Sequence, residues 1–121
     1  MSARTKKILC VDDDTDTCEV LALLLSEYEF VAANSIEESS PLVQDRQFDL
    51  YLLDNWLPDG SGIQLCESIH DRYPDAPIIF CTGVSMKEER QRAEQAGADR
   101  YLVKPVDPDH LIETIKDLLD D

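Results

Sequence analysis

Asp12, Asp13 and Asp14 directly follow the apolar run Ile8 to Val11, and Asp54 follows the run Leu50 to Leu53. Thr82 and Gly83 stand behind Ile78 to Cys81, and Lys104 and Pro105 behind Tyr101 to Val103. Carboxylates, a hydroxyl and an ammonium thus recur at the same place relative to successive apolar runs. Brought together, Asp12, Asp13 and Asp54 would crowd negative charge. Two such charges about 4 Å apart repel by about 4 kcal/mol at an effective dielectric of about 20. A hard cation with oxygen ligands relieves that repulsion, and Mg²⁺ suits a few carboxylates plus water and a phosphate oxygen. Phosphoryl transfer needs such a cation and donors for the remaining phosphoryl oxygens. Thr82 offers a hydroxyl, Lys104 a charge, and an aspartate is itself a competent phosphoryl acceptor.

Each of these residues also has a plain structural reading. Asp14 and a neighbour suit a helix N-cap. Asp54 can open a turn through Pro58, Asp59 and Gly60, Thr82–Gly83 can be a strand end, and Lys104–Pro105 a loop. Singly, the plain readings are the better ones. Jointly they fail, because they must produce the same sheet edge four times in one chemical mix.

The elements that would position this set follow from the apolar pattern. The four runs above are short and flanked by polar or turn residues, as expected of strands buried on both faces of a parallel sheet. Phe30 to Ala33 supplies a weaker fifth. Between them, Ser35 with Glu38, Ser61 with Gln64 and Ser85 with Glu88 match the capping-box spacing. Asp107–Pro108 fits an N-cap with proline in the first helical position. Leu111, Ile112, Ile115, Leu118 and Leu119 make an apolar stripe in the last helix, and Val20, Leu21, Leu24 and Tyr28 one in the first. Pro41 conflicts with its helix, which is expected to start later than the Ser35 box or to kink. The stretch Lys87 to Gln95 is nearly all charged or amide-bearing, so a helix there is expected to be loosely held. Strand–helix repeated five times reads as an open α/β sheet with helices on both faces, whose ligand crevice lies at the carboxyl ends of the strands.

Composition narrows the function. The chain has 121 residues, one domain in size, with 26 acidic against 11 basic residues and a formal net charge of −15. That balance argues against direct nucleic-acid binding, which needs a basic surface, and against an anionic membrane face. The longest purely apolar run, Val20 to Leu25, is far below the roughly 18 residues of a membrane span. No secretion signal is recognisable at the start, so a soluble cytoplasmic protein is expected. Cys10, Cys18, Cys66 and Cys81 contain no Cys-x-x-Cys pair and read as buried hydrophobes rather than a disulfide framework. His70 and His110, among charged residues, are expected at the solvated surface.

As a set, Asp12–Asp13, Asp54 in Leu-Leu-Asp-Asn-Trp-Leu-Pro-Asp-Gly, Thr82–Gly83 and Lys104–Pro105 resemble the receiver domains of two-component response regulators. The resemblance covers essentially the whole chain, residues 1–121. It implies a flavodoxin-like, five-stranded parallel sheet in the order 2-1-3-4-5, an order the chemotaxis regulator illustrates, with five helices on both faces. It further implies Asp54 as phosphoacceptor and one Mg²⁺ held by Asp13 directly, by Asp12 mainly through water, by Asp54 and by the Trp56 carbonyl. Thr82 and Lys104 would hold phosphoryl oxygens, small Gly83 would leave room for them, and Lys104–Pro105 would be cis. Tyr101 matches the switch aromatic: Thr82 is drawn to the phosphoryl group, Tyr101 turns into the vacated space, and the face of the fourth helix, fifth strand and fifth helix changes. Trp56 and Val84 depart from what is usual two residues after the acceptor and after Thr82, and imply a slowly hydrolysed phosphoryl group.

The partners implied are a histidine kinase or phosphotransfer protein as donor, within a phosphorelay, and a downstream protein or attached output domain. A phosphorylation-dependent homodimer is a further option. Such a domain speeds only its own modification and is not an enzyme. It either stands alone or forms the N-terminal part of a longer regulator. Two readings compete. A haloacid dehalogenase-type phosphatase also uses an aspartyl nucleophile, Mg²⁺, Thr or Ser, and Lys; Asp12, Asp14 and Asp16 mimic its Asp-x-Asp-x-Thr spacing, with Asp16 where Thr is required. A phosphate-independent receiver scaffold is the other, although the chemical set is complete.

Overall fold

A computed structural model describes residues 4–83 and 85–119. The apolar runs become β1 (Lys7–Val11), β2 (Glu29–Ala33), β3 (Leu50–Leu53), β6 (Ile78–Thr82) and β7 (Arg100–Val103). They pair in parallel in the order β2-β1-β3-β6-β7. Counted along the main sheet this is the expected 2-1-3-4-5. A small antiparallel ribbon, β4 (Trp56–Leu57) with β5 (Gly60–Ser61), was not expected; it closes the Pro58–Asp59 turn.

Helices α1 (Thr15–Leu24), α2 (Ile36–Asp45), α3 (Gly62–Arg72), α4 (Lys87–Ala96) and α5 (Pro108–Leu119) cover the two faces. Alternate strand residues feed separate cores. Leu9, Val11, Tyr51 and Leu53 pack with Val43, Cys66, Ile69 and Ala93 of α2, α3 and α4. Ile8, Cys10, Leu50 and Leu52 pack with Cys18 of α1 and with Leu111, Ile115 and Leu119 of α5. All four cysteines are free and buried, and burial pushes the Cys66 and Cys81 thiols up to about 12. They are structural hydrophobes.

The expected caps form at three of four helices. Ser35 Oγ accepts from Glu38 N at 3.0 Å, Ser61 Oγ from Gln64 N at 3.2 Å, and Asp107 Oδ2 from His110 N at 3.1 Å. Ser85 does not cap α4, which starts at Lys87 behind Met86 with no side-chain cap. The helix begins one residue later than the box requires, leaving Ser85 out of reach. Nor does Pro41 delay α2. Besides Ser35, the Asp59 carboxylate accepts from Ile36 N and Glu37 N, both at 2.9 Å, and these bonds offset an interior proline costing about 3 kcal/mol.

Two expectations need adjustment. In the first helix Leu21 and Leu24 pack against the core as expected, and Tyr28, just past its end, is buried there with Cys18 and Leu25; of the stripe only Val20 turns outward, 56% exposed. His70 is half-buried, with its ring where a Cβ on Gly97 would stand, 2.6 Å from Cγ. Gly97 ends α4 in a left-handed conformation (φ 118°), so both backbone and packing there favour glycine.

Candidate functional site

The sheet ladder runs one residue past the strands and sets the site residues side by side. Asp12 N donates to Ala33 O at 3.0 Å, Asp54 N to Val11 O at 3.0 Å, and Lys104 N to Thr82 O at 2.8 Å. Asp12 and Asp54 are therefore on adjacent strands at one height, at the carboxyl edge where open α/β sheets bind ligands.

Carboxylate oxygens of Asp12, Asp13 and Asp54 lie within 4.8 Å of one another. Asp12 and Asp54 are only 3% and 9% exposed, whereas Asp13 faces solvent. Lys104 reaches in from the loop after β7, with Nζ 2.6 Å from Asp12 Oδ2 and 3.3 Å from Asp54 Oδ2. Burial works against the ammonium, but these two carboxylates outweigh it and hold Lys104 above the usual lysine range. For Asp54 burial dominates. Desolvation and the neighbouring Asp12 raise its carboxyl above the usual range in spite of Lys104.

The donor set suits a hard divalent ion: three oxygen donors converge, and trans oxygens around Mg²⁺ stand roughly 4.2 Å apart. Thr82 is fully buried at the end of β6, and Gly83 follows it at the surface. A Cβ on Gly83 would meet nothing within 4 Å, so packing within the protein does not require glycine there. The Trp56 indole is 64% exposed, and its backbone N lies 3.5 Å from Asp54 Oδ1. Tyr101 is 7% exposed, stacked on Phe80 with centroids 6.1 Å apart and with the Arg90 guanidinium 5.9 Å from its ring. The Lys104–Pro105 bond is cis. Val84 lies outside the described residues.

The sequence-predicted residues thus meet at one edge, with Tyr101 in the neighbouring strand. Four supporting residues escaped sequence reasoning. Asn34 Nδ2 donates to Asp12 O at 2.8 Å, steadying the first acidic loop. Asp59 fastens the second loop to the start of α2. A Cβ on Gly62 would stand 2.0 Å from Asp54 O, so only glycine lets α3 begin against that strand end. Glu89 of α4 accepts from Asn55 Nδ2 at 2.6 Å. The Gly60-Ser61-Gly62 run was a visible hint for one of them; the other three act across long sequence separations.

The phosphatase reading does not survive this geometry. Asp14, the second acid it needs, caps α1: it accepts from Asp16 N at 3.1 Å and Thr17 Oγ1 at 2.9 Å, bonds that hold its carboxyl below the usual range. Among the described residues no helix is long and apolar enough to cross a membrane.

Comparison with known proteins agrees with the geometry. Residues 8–116 match the family model for the response regulator receiver domain. The response regulator protein PilR of Pseudomonas aeruginosa is 36% identical over 112 residues, 91% of this chain but 25% of PilR. The polar-differentiation response regulator DivK of Brucella ovis is 31% identical over 121 residues, covering 97% of this chain and 98% of DivK. The chain spans from about a quarter to about half of the first four curated relatives, PilR among them. A crystal structure of a CheY-like receiver domain protein from Methanospirillum hungatei superposes with a TM-score of 0.93 at 37% identity, over 97% of this chain and 95% of that one. The chain belongs to the response regulator receiver domain family, a signalling rather than a phosphatase fold.

Proposed function

We propose that Asp54 is the residue that accepts the phosphoryl group. The observation that carries this reading is the convergence of Asp12, Asp13 and Asp54 within 4.8 Å with the Lys104 ammonium on two of them. A carboxylate oxygen of Asp54 forms the new bond to phosphorus as the bond to the donor, a histidine kinase or phosphotransfer protein, breaks. Asp12, Asp13, Asp54 and the Trp56 carbonyl would hold one Mg²⁺. When bound, the ion supplies positive charge to the phosphoryl oxygens. Lys104 is in place to exchange part of its contact with Asp54 for a phosphoryl oxygen while keeping Asp12. Thr82 supplies a hydroxyl donor from the adjacent strand. Gly83 leaves its side of the pocket open, and the absence of any internal packing demand for glycine there supports that role.

Tyr101 is the reporter of this event in the switch we infer. It sits next to β6, whose last residue is Thr82, and under Arg90 of α4, so movement of Thr82 has a short path to the α4–β7–α5 face. The chain modifies only itself and turns over no external substrate. Residues 1–121 form one receiver domain, cytoplasmic, which signals to a downstream protein or an attached output domain, the latter in line with the greater length of PilR.

The single Trp56 beside the site provides the test. Its fluorescence is expected to change saturably with Mg²⁺, then again with beryllofluoride, and the second change is expected to vanish in Asp54→Asn. An equal beryllofluoride response in Asp54→Asn would overturn the assignment.

A further inference from the structure

Helix α4 is anchored unequally. At its C-terminal end Ala93 and Ala96 are buried, and Gly97 N and Ala98 N close the helix on Glu94 O and Ala93 O at 3.1 and 3.0 Å. Its first half has no side-chain cap, and in residues 87–92 every side chain except Glu89 is exposed. A carboxylate is thus the one group drawn inward where an apolar residue would be usual. What draws it is Asn55 Nδ2, 2.6 Å from Oε2, a short charge-assisted hydrogen bond; Oε1 meets the exposed Arg92 guanidinium of the same helix at 3.0 Å, a contact that does not leave α4.

Asn55 is a rigid platform. It is 3% exposed, its carbonyl accepts from Gly62 N at 2.8 Å, and α3 starts so close that a Cβ on Gly62 would collide with Asp54 O and Asn55 Cα. Its Oδ1 is buried without a hydrogen-bond partner. Reversing the amide would aim that acceptor at the Glu89 carboxylate, so the acid dictates which way the amide faces. Asn55 is also the covalent neighbour of Asp54.

We propose that the Asn55–Glu89 hydrogen bond is a tether that holds the first half of α4 on the loop carrying Asp54, and so sets the resting position of that helix. A change in the backbone at Asp54 then reaches α4 through one covalent neighbour and one hydrogen bond, by a route separate from Thr82 and Tyr101. Only this signalling consequence rests on Asp54 being the phosphoacceptor; the tether itself does not.

The test is amide hydrogen exchange of residues 90–96 in protein free of Mg²⁺ and phosphoryl donors, with α5 amides as internal reference. Glu89→Ala is expected to exchange about ten-fold faster than Arg92→Ala, the loss of one hydrogen bond to a charged group. Arg92→Ala removes the exposed Glu89–Arg92 pair at 3.0 Å but leaves the bond to Asn55. Alanine is the better helix former, so propensity alone would slow exchange in both. Asn55→Asp sets two carboxylates against each other and is expected to exchange fastest. The double variant Asn55→Asp with Glu89→Gln restores a donor opposite an acceptor and is expected to recover most of the protection. Should Asn55→Asp fail to fold, Glu89→Ala compared with Arg92→Ala decides. Exchange in Glu89→Ala no faster than in Arg92→Ala overturns the tether, as does a double variant no slower than Asn55→Asp. Failure of the phosphoacceptor reading is separately visible: beryllofluoride with Mg²⁺ would then leave α4 exchange unchanged in a protein whose tether variants still behave as expected.

Discussion

Replacing Asp54 by asparagine should make the metal-free protein more stable. The amide has the shape of the carboxylate but not its charge. The contacts of that charge nearly offset one another. At an effective dielectric of about 20, attraction to Lys104 Nζ at 3.3 Å gives about 5 kcal/mol, and repulsion from Asp12 within 4.8 Å at least about 3.5 kcal/mol. Exposed Asp13 adds a solvent-screened share. Burial then decides, which is why the Asp54 carboxyl is held above the usual range. In Asp54→Asn, Lys104 keeps its 2.6 Å contact with Asp12 and can still donate to the amide oxygen. The expected gain at neutral pH is about 1–2 kcal/mol, a rise of roughly 0.5–1 M in the urea midpoint with an unchanged slope. The pH dependence has a definite sign. A carboxyl raised on folding favours the native state below its ordinary range and loses that contribution as pH rises through the raised value. The advantage of Asp54→Asn should therefore grow with pH and fade in acid. Millimolar Mg²⁺, binding only the folded state, should stabilise the parent chain more than the variant and narrow the gap. A variant less stable than the parent in chelator at neutral pH would refute this reasoning.

Four other substitutions probe the same edge. Lys104→Met removes the ammonium that neutralises Asp12 and Asp54, so stability in chelator should fall by about 2–3 kcal/mol. The Mg²⁺ midpoint read from Trp56 fluorescence should move to lower concentration, because the competing cation is gone; an unchanged or higher midpoint would contradict this. Gly62→Ala forces a Cβ to within 2.0 Å of Asp54 O and should cost more than about 3 kcal/mol in urea unfolding, whereas Gly83→Ala meets nothing and should unfold like the parent while accepting phosphoryl groups poorly. Trp56→Asn should shorten the life of the phosphorylated form, followed as loss of label after the donor is removed; equal lifetimes would discard the shielding role of the indole.

The legible parts of this protein were those written in local pattern. Runs such as Ile8–Val11 and Leu50–Leu53, short and bounded by polar residues, read as two-sided strands, and the residues behind them had to meet once the sheet was parallel. Ser35, Ser61 and Asp107 announced their helices because a cap and its target amide lie within one turn. What stayed hidden depends on distance in sequence. Asp59 looked like a turn former, yet its partners are Ile36 and Glu37, 23 and 22 residues earlier. Asn34 reads as a loop residue until β2 places its amide on the Asp12 carbonyl. Glu89 looked like one more solvated acid in a polar helix until it met Asn55, 34 residues away. In the stripe Val20, Leu21, Leu24 and Tyr28 only Val20 was misplaced, exposed while the other three meet the core, because an all-apolar run does not say where the inner face ends.

The central claim is that Asp54, among the clustered acids, takes the phosphoryl group. Intact-mass spectrometry after treatment with acetyl phosphate and Mg²⁺, followed by peptide mapping with reductive trapping of the acyl phosphate, tests it directly. The account predicts one phosphoryl group per chain, located on Asp54, dependent on Mg²⁺ and absent from Asp54→Asn. A label on Asp12 or Asp13, or none on the folded, Mg²⁺-saturated protein, would contradict it.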